Sequence, residues 1–202
     1  MGVLNYFQLA TILVVVCAIS TKAIYSWSVT GVFPIVIGRG KGPWRTIELL
    51  SFVALLLWVS EVLLRAVRSR FDIFPDQINV TLLHSQPVMI LGVILILLGL
   101  ILFLLAFVNF GTSWRIGIDR KTPGSLVTGG VFALSRNPIY VAFISIFVGI
   151  FLLNGTWFFL IFALLAVVAI HFQVLREEEF LKKQYGESYE EYCRHAARYL
   201  IW

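Results

Sequence analysis

The chain has 202 residues, of which 59% are hydrophobic and 13% charged, and its mean hydropathy is +0.90. Soluble domains are nearer half apolar and a quarter charged, so this composition excludes a water-soluble globular protein and indicates an integral membrane protein. The net charge of +5 is typical of some nucleic-acid-binding proteins. Here the basic residues are scattered at the ends of apolar runs, which favours contact with a membrane leaflet instead. We therefore predict a membrane partner, no nucleic acid, and a single membrane domain over 1–202.

Five apolar stretches predict an all-α fold, a polytopic bundle of about five transmembrane helices. They cover residues 6–28, 46–64, 87–109, 138–153 and 155–175. The first stretch lacks the basic leader and small-residue cleavage site of a signal peptide, so we predict a membrane helix there. In the second, Glu61 is four residues before Arg65, and we expect an ion pair near the membrane interface.

The polar connectors divide the chain into two parts, 1–86 with the N-terminal spans and a loop, and 87–202, which we expect to hold the functional site. The connector at 109–137 is too long for a simple turn, and long loops are usually functional. Asn154-Gly155 can adopt positive φ and turn the chain tightly. The last two spans are therefore expected to form a helical hairpin that returns to the side it left.

The segment after the last span, 176–202, predicts an amphipathic C-terminal tail. Tyr185, Tyr189 and Tyr192 fall on one helical face, and Gly186 is expected to bend or break the helix.

The basic residues are concentrated on one side of the predicted membrane. That side holds the 29–45 and 110–137 connectors and the tail, whereas the other side holds only three arginines from 65–70. Because cytoplasmic loops are enriched in Lys and Arg, we predict a cytoplasmic C-terminus and an N-terminus outside.

Two polar clusters stand at the open ends of the predicted hairpin. Arg136 and Asn137 precede Pro138, a residue that suits the first turn of a helix, where free backbone N–H groups favour an anion. The run Arg176-Glu177-Glu178-Glu179 follows the second span. If the clusters meet, they fit a zwitterion such as the amino-acid end of a cofactor. The alternative is a structural salt bridge that closes the hairpin.

Other candidate residues surround these clusters. Gln173 lies one turn before Glu177 on the same helical face, and Gly129-Gly130 permits close backbone approach to a flat ligand. The cysteines, Cys17 and Cys193, are far apart and no His/Cys/Asp/Glu spacing is typical of a metal site, so we predict no metal.

The order of these motifs resembles the isoprenylcysteine carboxyl methyltransferase and phospholipid methyltransferase superfamily. Three motifs over roughly 109–198 carry the resemblance. Gly129-Gly130-Val131-Phe132 leading to Ser135-Arg136-Asn137-Pro138-Ile139-Tyr140 is similar to the family's Arg-His/Asn-Pro-x-Tyr signature. Glu177-Glu178-x-x-Leu181 followed by Tyr185-Gly186-x-x-Tyr189-x-x-Tyr192 is similar to its tail. Gly111-Thr112-Ser113-Trp114 is similar to its Gly-x-x-Trp motif.

The resemblance implies an S-adenosylmethionine-dependent methyltransferase with a cytoplasm-facing cofactor pocket and a lipid or lipid-modified substrate that arrives from the bilayer. The implied cofactor-binding residues are Gly129, Gly130, Val131, Phe132, Arg136, Asn137, Tyr140, Glu177 and Glu178. The implied catalytic residues are Glu177, Gln173 and Arg136. Asn137 stands where eukaryotic carboxyl methyltransferases have His. Gln173 stands where well-known members can carry Arg, which weakens the case for a prenylcysteine carboxylate as the acceptor.

The residues leave the acceptor and two other functions open. A carboxylate nucleophile needs no base, whereas an amine must lose a proton, which Glu177 or Glu178 can accept. An NADPH-dependent lipid reductase is the first alternative, because sterol reductases end in a tail similar to Lys183-Gln184-Tyr185-Gly186 with Tyr192-Cys193. A non-catalytic membrane partner protein, which would bind neither nucleotide, is the second.

Overall fold

The computed structural model describes residues 2–31, 43–67, 74–111 and 124–200, and these ranges are mainly helical, which confirms the all-α prediction. The described α-helices are α1 (Val3–Thr30), α2 (Pro43–Ala66), α3 (Gln86–Asn109), α4 (Pro138–Asn154), α5 (Trp157–Tyr185) and α6 (Glu187–His195). Short 3₁₀ helices at Asp76–Ile78 and Gly130–Ala133 interrupt the connectors.

Each of the five predicted spans is a helix. Four of them, α1, α2, α3 and α5, are long and apolar enough to cross a membrane, and α4 is a shorter apolar helix. At about 1.5 Å per residue, the 17 residues of α4 reach roughly 26 Å, close to the ~30 Å hydrocarbon core. Large apolar side chains such as Leu98 and Leu165 are exposed, as lipid-facing residues are. The chain is a multi-pass integral membrane protein.

Glycines bring α3 and α4 into close contact. A Cβ placed on Gly92 would lie 2.8 Å from the Gly149 carbonyl oxygen, and one on Gly99 would lie 2.9 Å from that of Ala142. Between helices in lipid, van der Waals packing replaces the hydrophobic effect, so small residues at the contact favour association. This contact fixes the helix that begins with Pro138.

The hairpin turn between α4 and α5 forms as predicted. Gly155 has φ 64° and ends α4, and its carbonyl oxygen accepts hydrogen bonds from the backbone N–H groups of Leu82 (2.6 Å) and Leu83 (3.1 Å). The loop between α2 and α3 therefore covers this turn and satisfies a carbonyl that the helix leaves unpaired.

The predicted end of the last span at residue 175 is wrong, because α5 continues to Tyr185. The sequence after Leu175 consists mostly of strong helix formers, and Glu179 and Lys183 pair one turn apart. The 29 residues of α5 reach roughly 43 Å, longer than the ~30 Å hydrocarbon core. Glu177 and Glu178 thus lie inside a helix, not in a separate tail.

The tail beyond α5 follows the prediction. Gly186, with φ 54° and ψ −126°, breaks the helix, and α6 packs through its buried tyrosines Tyr189 and Tyr192. Burial raises the pKa of both phenols well above the usual value, so they remain protonated. The Tyr192 hydroxyl donates to the Phe132 carbonyl at 2.6 Å and ties α6 to the Gly130–Ala133 turn.

At the hairpin-turn end, Glu61 and Arg65 pair as predicted, with 2.8 Å between Arg65 Nε and Glu61 Oε1. Glu61 is fully buried against the neighbouring segments, and the position of the pair at the membrane interface stays a prediction. The Arg65 guanidinium also donates to Asn79 Oδ1 at 2.7 Å, and the Arg65 backbone carbonyl accepts from the Asn5 side-chain amide at 3.2 Å. The network joins α1, α2 and the following loop.

Part of the predicted pattern lies outside the described residues. This holds for Thr112–Trp114 and for the basic residues within 32–42, 68–73 and 112–123. The orientation across the membrane therefore stays a prediction.

Candidate active site

The predicted polar clusters meet at the N-terminus of α4, beside the last turns of α5 and the segment 196–199. Pro138 is the first residue of α4 and Asn137 precedes it, as predicted. The backbone N–H of Asn137 donates a hydrogen bond to Ser135 Oγ at 3.1 Å, and that of Arg136 donates to the Ala197 carbonyl at 2.8 Å. The start of α4 is therefore pinned to the C-terminal segment.

Arg136 pairs with Glu178. Its Nε and Nη2 lie 3.2 and 3.1 Å from Glu178 Oε1, and its Nη1 donates to the carbonyls of Cys193 (3.2 Å) and Ala196 (2.7 Å). Both side chains are nearly buried, with 11% and 12% exposure. Four of the five guanidinium donors thus have partners within the chain.

Glu178 also accepts hydrogen bonds from two other side chains. Asn137 Nδ2 donates to its Oε1 at 3.3 Å, and Arg198 donates to its Oε2 at 2.9 Å. The hydrogen bond to Glu178 raises the pKa of Arg198. Arg198 was not predicted as a site residue, because no motif marks a basic residue in a charged tail. We call Arg136, Asn137, Glu178 and Arg198 the Arg136–Glu178 clasp.

A second cluster is centred on the neighbouring carboxylate. The Tyr140 hydroxyl donates to Glu177 Oε1 at 2.6 Å, and Gln173 Nε2 donates to the same oxygen at 2.9 Å. We call Tyr140, Gln173 and Glu177 the Glu177 cluster. The predicted shared face of Gln173 and Glu177 is confirmed as a direct hydrogen bond.

Arg176 connects the Glu177 cluster to α2. The Nη1 of Arg176 donates to Gln173 Oε1 at 3.1 Å and to Glu48 Oε1 at 3.2 Å. Its guanidinium carbon lies 4.4 Å from the centre of the Trp44 ring. The polar run containing Arg176 was predicted, but its partners on α2 were not, because these contacts join residues far apart in sequence.

The predicted glycine-rich segment divides into a core part and an open part. Phe132 is buried and packs edge-on against Phe110 at 5.1 Å. Gly130 has φ 61° and lies against the Asn109 side chain. Val131 is half-buried, and a Cβ on Gly129 would meet nothing within 4 Å. Gly129 is therefore the position in this segment that leaves space for a ligand.

An apolar groove of about 400 Å³ lies between α4 and α5. Its lining residues are Ile144, Val167, Val168, His171 and Tyr199. His171 Nδ1 lies 2.9 Å from the Tyr199 hydroxyl, so the histidine is a hydrogen-bonding partner of the C-terminal segment. The described residues include no group of three or more His, Cys, Asp or Glu side chains that holds a metal ion.

Comparison with known proteins assigns this arrangement to a family. The sequence model described as "Phospholipid methyltransferase" matches residues 87–188, about half of the chain. The matched region includes α4, α5 and every residue of the two clusters except Arg198. No curated protein matches the chain. The family supports methyl transfer to lipids in the membrane, and the chain belongs to the phospholipid methyltransferase family.

Proposed function

We propose that the protein transfers the methyl group of S-adenosylmethionine to a lipid or lipid-modified acceptor at the cytoplasmic face of the membrane. The observation that carries this proposal is the pair of clusters on consecutive residues of α5. Glu177 and Glu178 hold separate sets of polar partners, and both sets lie within the matched family region or in the tail that follows it.

The chemistry of the two clusters fits the amino-acid end of S-adenosylmethionine. Arg136 and Asn137 would hold its carboxylate, and Glu177 and Glu178 its ammonium group. Arg136 and Glu178 already pair with each other. On binding, Arg136 would exchange the Glu178 carboxylate for the cofactor carboxylate, and Glu178 would exchange a guanidinium for the cofactor ammonium group. Gly129 and the half-buried Val131 would line the adenosine side, because Phe132 is buried and Gly130 lies against Asn109. When bound, the cofactor supplies a methyl group already activated by its sulfonium.

The protein's own residues must align the acceptor and exclude water. Glu177 is suited to accept a proton from an amine, since Tyr140 and Gln173 fix its orientation. Glu178 is less suited, because two arginines and an amide already occupy its oxygens. A carboxylate acceptor would need a cation, and Arg176 is already paired with Glu48. We therefore favour an aminophospholipid over a prenylcysteine-type carboxylate.

The first test is calorimetric titration of S-adenosylhomocysteine into protein purified in mild detergent. Wild type is expected to bind, and Arg136→Ala and Glu177→Ala are expected to lose binding. Lys183→Gln, on the exposed face of α5, is the matched control and should bind as wild type does. Binding of NADPH instead would favour a lipid reductase. If the protein binds neither S-adenosylhomocysteine nor NADPH, both clusters have only a structural role and the proposal is contradicted.

A further inference from the structure

The contacts of Arg176 connect the Glu177 cluster to a helix outside the matched family region. Arg176 lies between two groups of α2 and the Gln173 amide. Its Nη1 is 3.2 Å from Glu48 Oε1, and its guanidinium lies over the Trp44 ring at 4.4 Å. Arg176 and Glu48 each keep 21% exposure, so the pair is only partly screened by solvent. An indole face and a carboxylate together hold a guanidinium in one place.

The position of Arg176 decides which way the Gln173 amide points. A guanidinium can only donate hydrogen bonds, so the amide oxygen must face it, as it does at 3.1 Å. The amide nitrogen then faces the other way and donates to Glu177 Oε1 at 2.9 Å. Because the amide nitrogen can only donate, the oxygen of Glu177 that it meets must accept.

We propose that Trp44 and Glu48 are positioning residues of the methyl-transfer site, acting through Arg176 and Gln173 to favour the ionised form of Glu177. The proposal rests on the proposed function. The groups facing Glu177 are Tyr140 of α4 and Gln173 of α5, with Arg176 and then Glu48 beyond the amide. The second span, α2, would then contribute to the chemistry and not only to the membrane anchor.

The test follows the protonation of Glu177 by pH-difference infrared spectroscopy of the whole protein in detergent. The carboxyl signal that disappears in Glu177→Gln belongs to Glu177. Trp44→Leu changes no charge, so it acts on Glu177 only by releasing Arg176. We expect it to move the titration midpoint of Glu177 to higher pH by about one unit, because a cation and a correctly oriented donor are lost. Phe52→Leu, an exposed aromatic residue farther along α2, is the matched control and should leave the midpoint unchanged.

A double-mutant cycle separates the relay from a general loosening of the bundle. If Trp44 acts mainly through the amide, Trp44→Leu should shift the midpoint less in a Gln173→Ala background than in wild type, because only the direct effect of the Arg176 charge remains. Glu48→Gln is a second variant of the same contact, and its effect should shrink in that background too. Additive effects, a wild-type midpoint in Trp44→Leu, or a shift of the same size in Phe52→Leu would overturn the proposal.

S-adenosylhomocysteine titration of the same samples keeps the two hypotheses apart. If wild type does not bind S-adenosylhomocysteine but the double-mutant cycle is non-additive, the proposed function is overturned and the relay remains a property of the fold. Binding with an additive cycle would overturn the relay alone. Where methyl transfer is measured, the relay expects kcat to fall in Trp44→Leu and the KM for S-adenosylmethionine to stay within about twofold.

Discussion

At the scale of single residues, the two adjacent glutamates have different environments. Glu178 is joined to Arg136 and Arg198, whereas Glu177 receives hydrogen bonds from the neutral groups of Tyr140 and Gln173. Both oxygens of Glu178 already accept hydrogen bonds from Arg136, Asn137 and Arg198, which leaves little room for a proton from an acceptor. Of the two neighbours, Glu177 is therefore the one suited to proton transfer.

Tyr140→Phe tests the role of Glu177 without changing charge or volume much. Loss of the hydroxyl donor is expected to lower kcat for an amine acceptor by about 10- to 100-fold, since a hydrogen bond to a charged group contributes about 1.5–3 kcal/mol. The affinity for S-adenosylhomocysteine should change less than about twofold. Transfer of a labelled methyl group to membrane lipid, with calorimetry beside it, measures both. An unchanged kcat in Tyr140→Phe would show that the Tyr140 hydroxyl does not contribute to methyl transfer.

The clasp makes a different residue-scale prediction. Arg198→Ala removes one cation from Glu178 and leaves the Arg136 pair in place. Arg198 is 42% exposed, so the cost in folding stability should be small, about 1 kcal/mol or less. Glu178→Ala, in contrast, leaves the nearly buried Arg136 without its counterion and should be markedly less stable. Thermal unfolding in detergent compares them, and equal losses would contradict this ordering.

At the scale of helices, the position of the site depends on how closely α3 and α4 approach. Gly92 and Gly149 lie across from each other, and a Cβ on Gly92 has no space beside the Gly149 carbonyl. Gly92→Ala is expected to push the helices apart and destabilise the fold by about 1–3 kcal/mol. Gly129→Ala, where a Cβ meets nothing within 4 Å, is the control and should unfold at the wild-type temperature. Similar unfolding temperatures for both variants would show that the glycine contact adds no stability.

At the scale of the whole molecule, local sequence patterns predicted the helices and the contact between the Arg136 and Glu178 segments. They did not predict the other contacts between distant segments. Hydropathy located the five spans, because exposure to lipid makes a helix apolar along its whole length. A tight turn at Gly155 was enough to bring Arg136 near Glu178. The contacts of Trp44, Glu48 and Arg198 escaped prediction, because each joins distant segments and leaves no periodic signal. The end of α5 was missed because its charges are paired along the helix.

The orientation in the membrane is the last property that the whole molecule decides. Both clusters lie at the end of the hairpin that carries the C-terminal segment, and the proposed S-adenosylmethionine site requires that end to face the cytoplasm. A protein without its native cysteines, carrying Cys17→Ser and Cys193→Ser, can report this. An added cysteine replacing Lys183, 73% exposed at the site end, should react with a membrane-impermeant maleimide only in inside-out vesicles. One replacing Val80, in the loop that covers the hairpin turn and 54% exposed, should react only in right-side-out vesicles. The opposite pattern would place both clusters outside the cell and leave them without access to cytoplasmic S-adenosylmethionine.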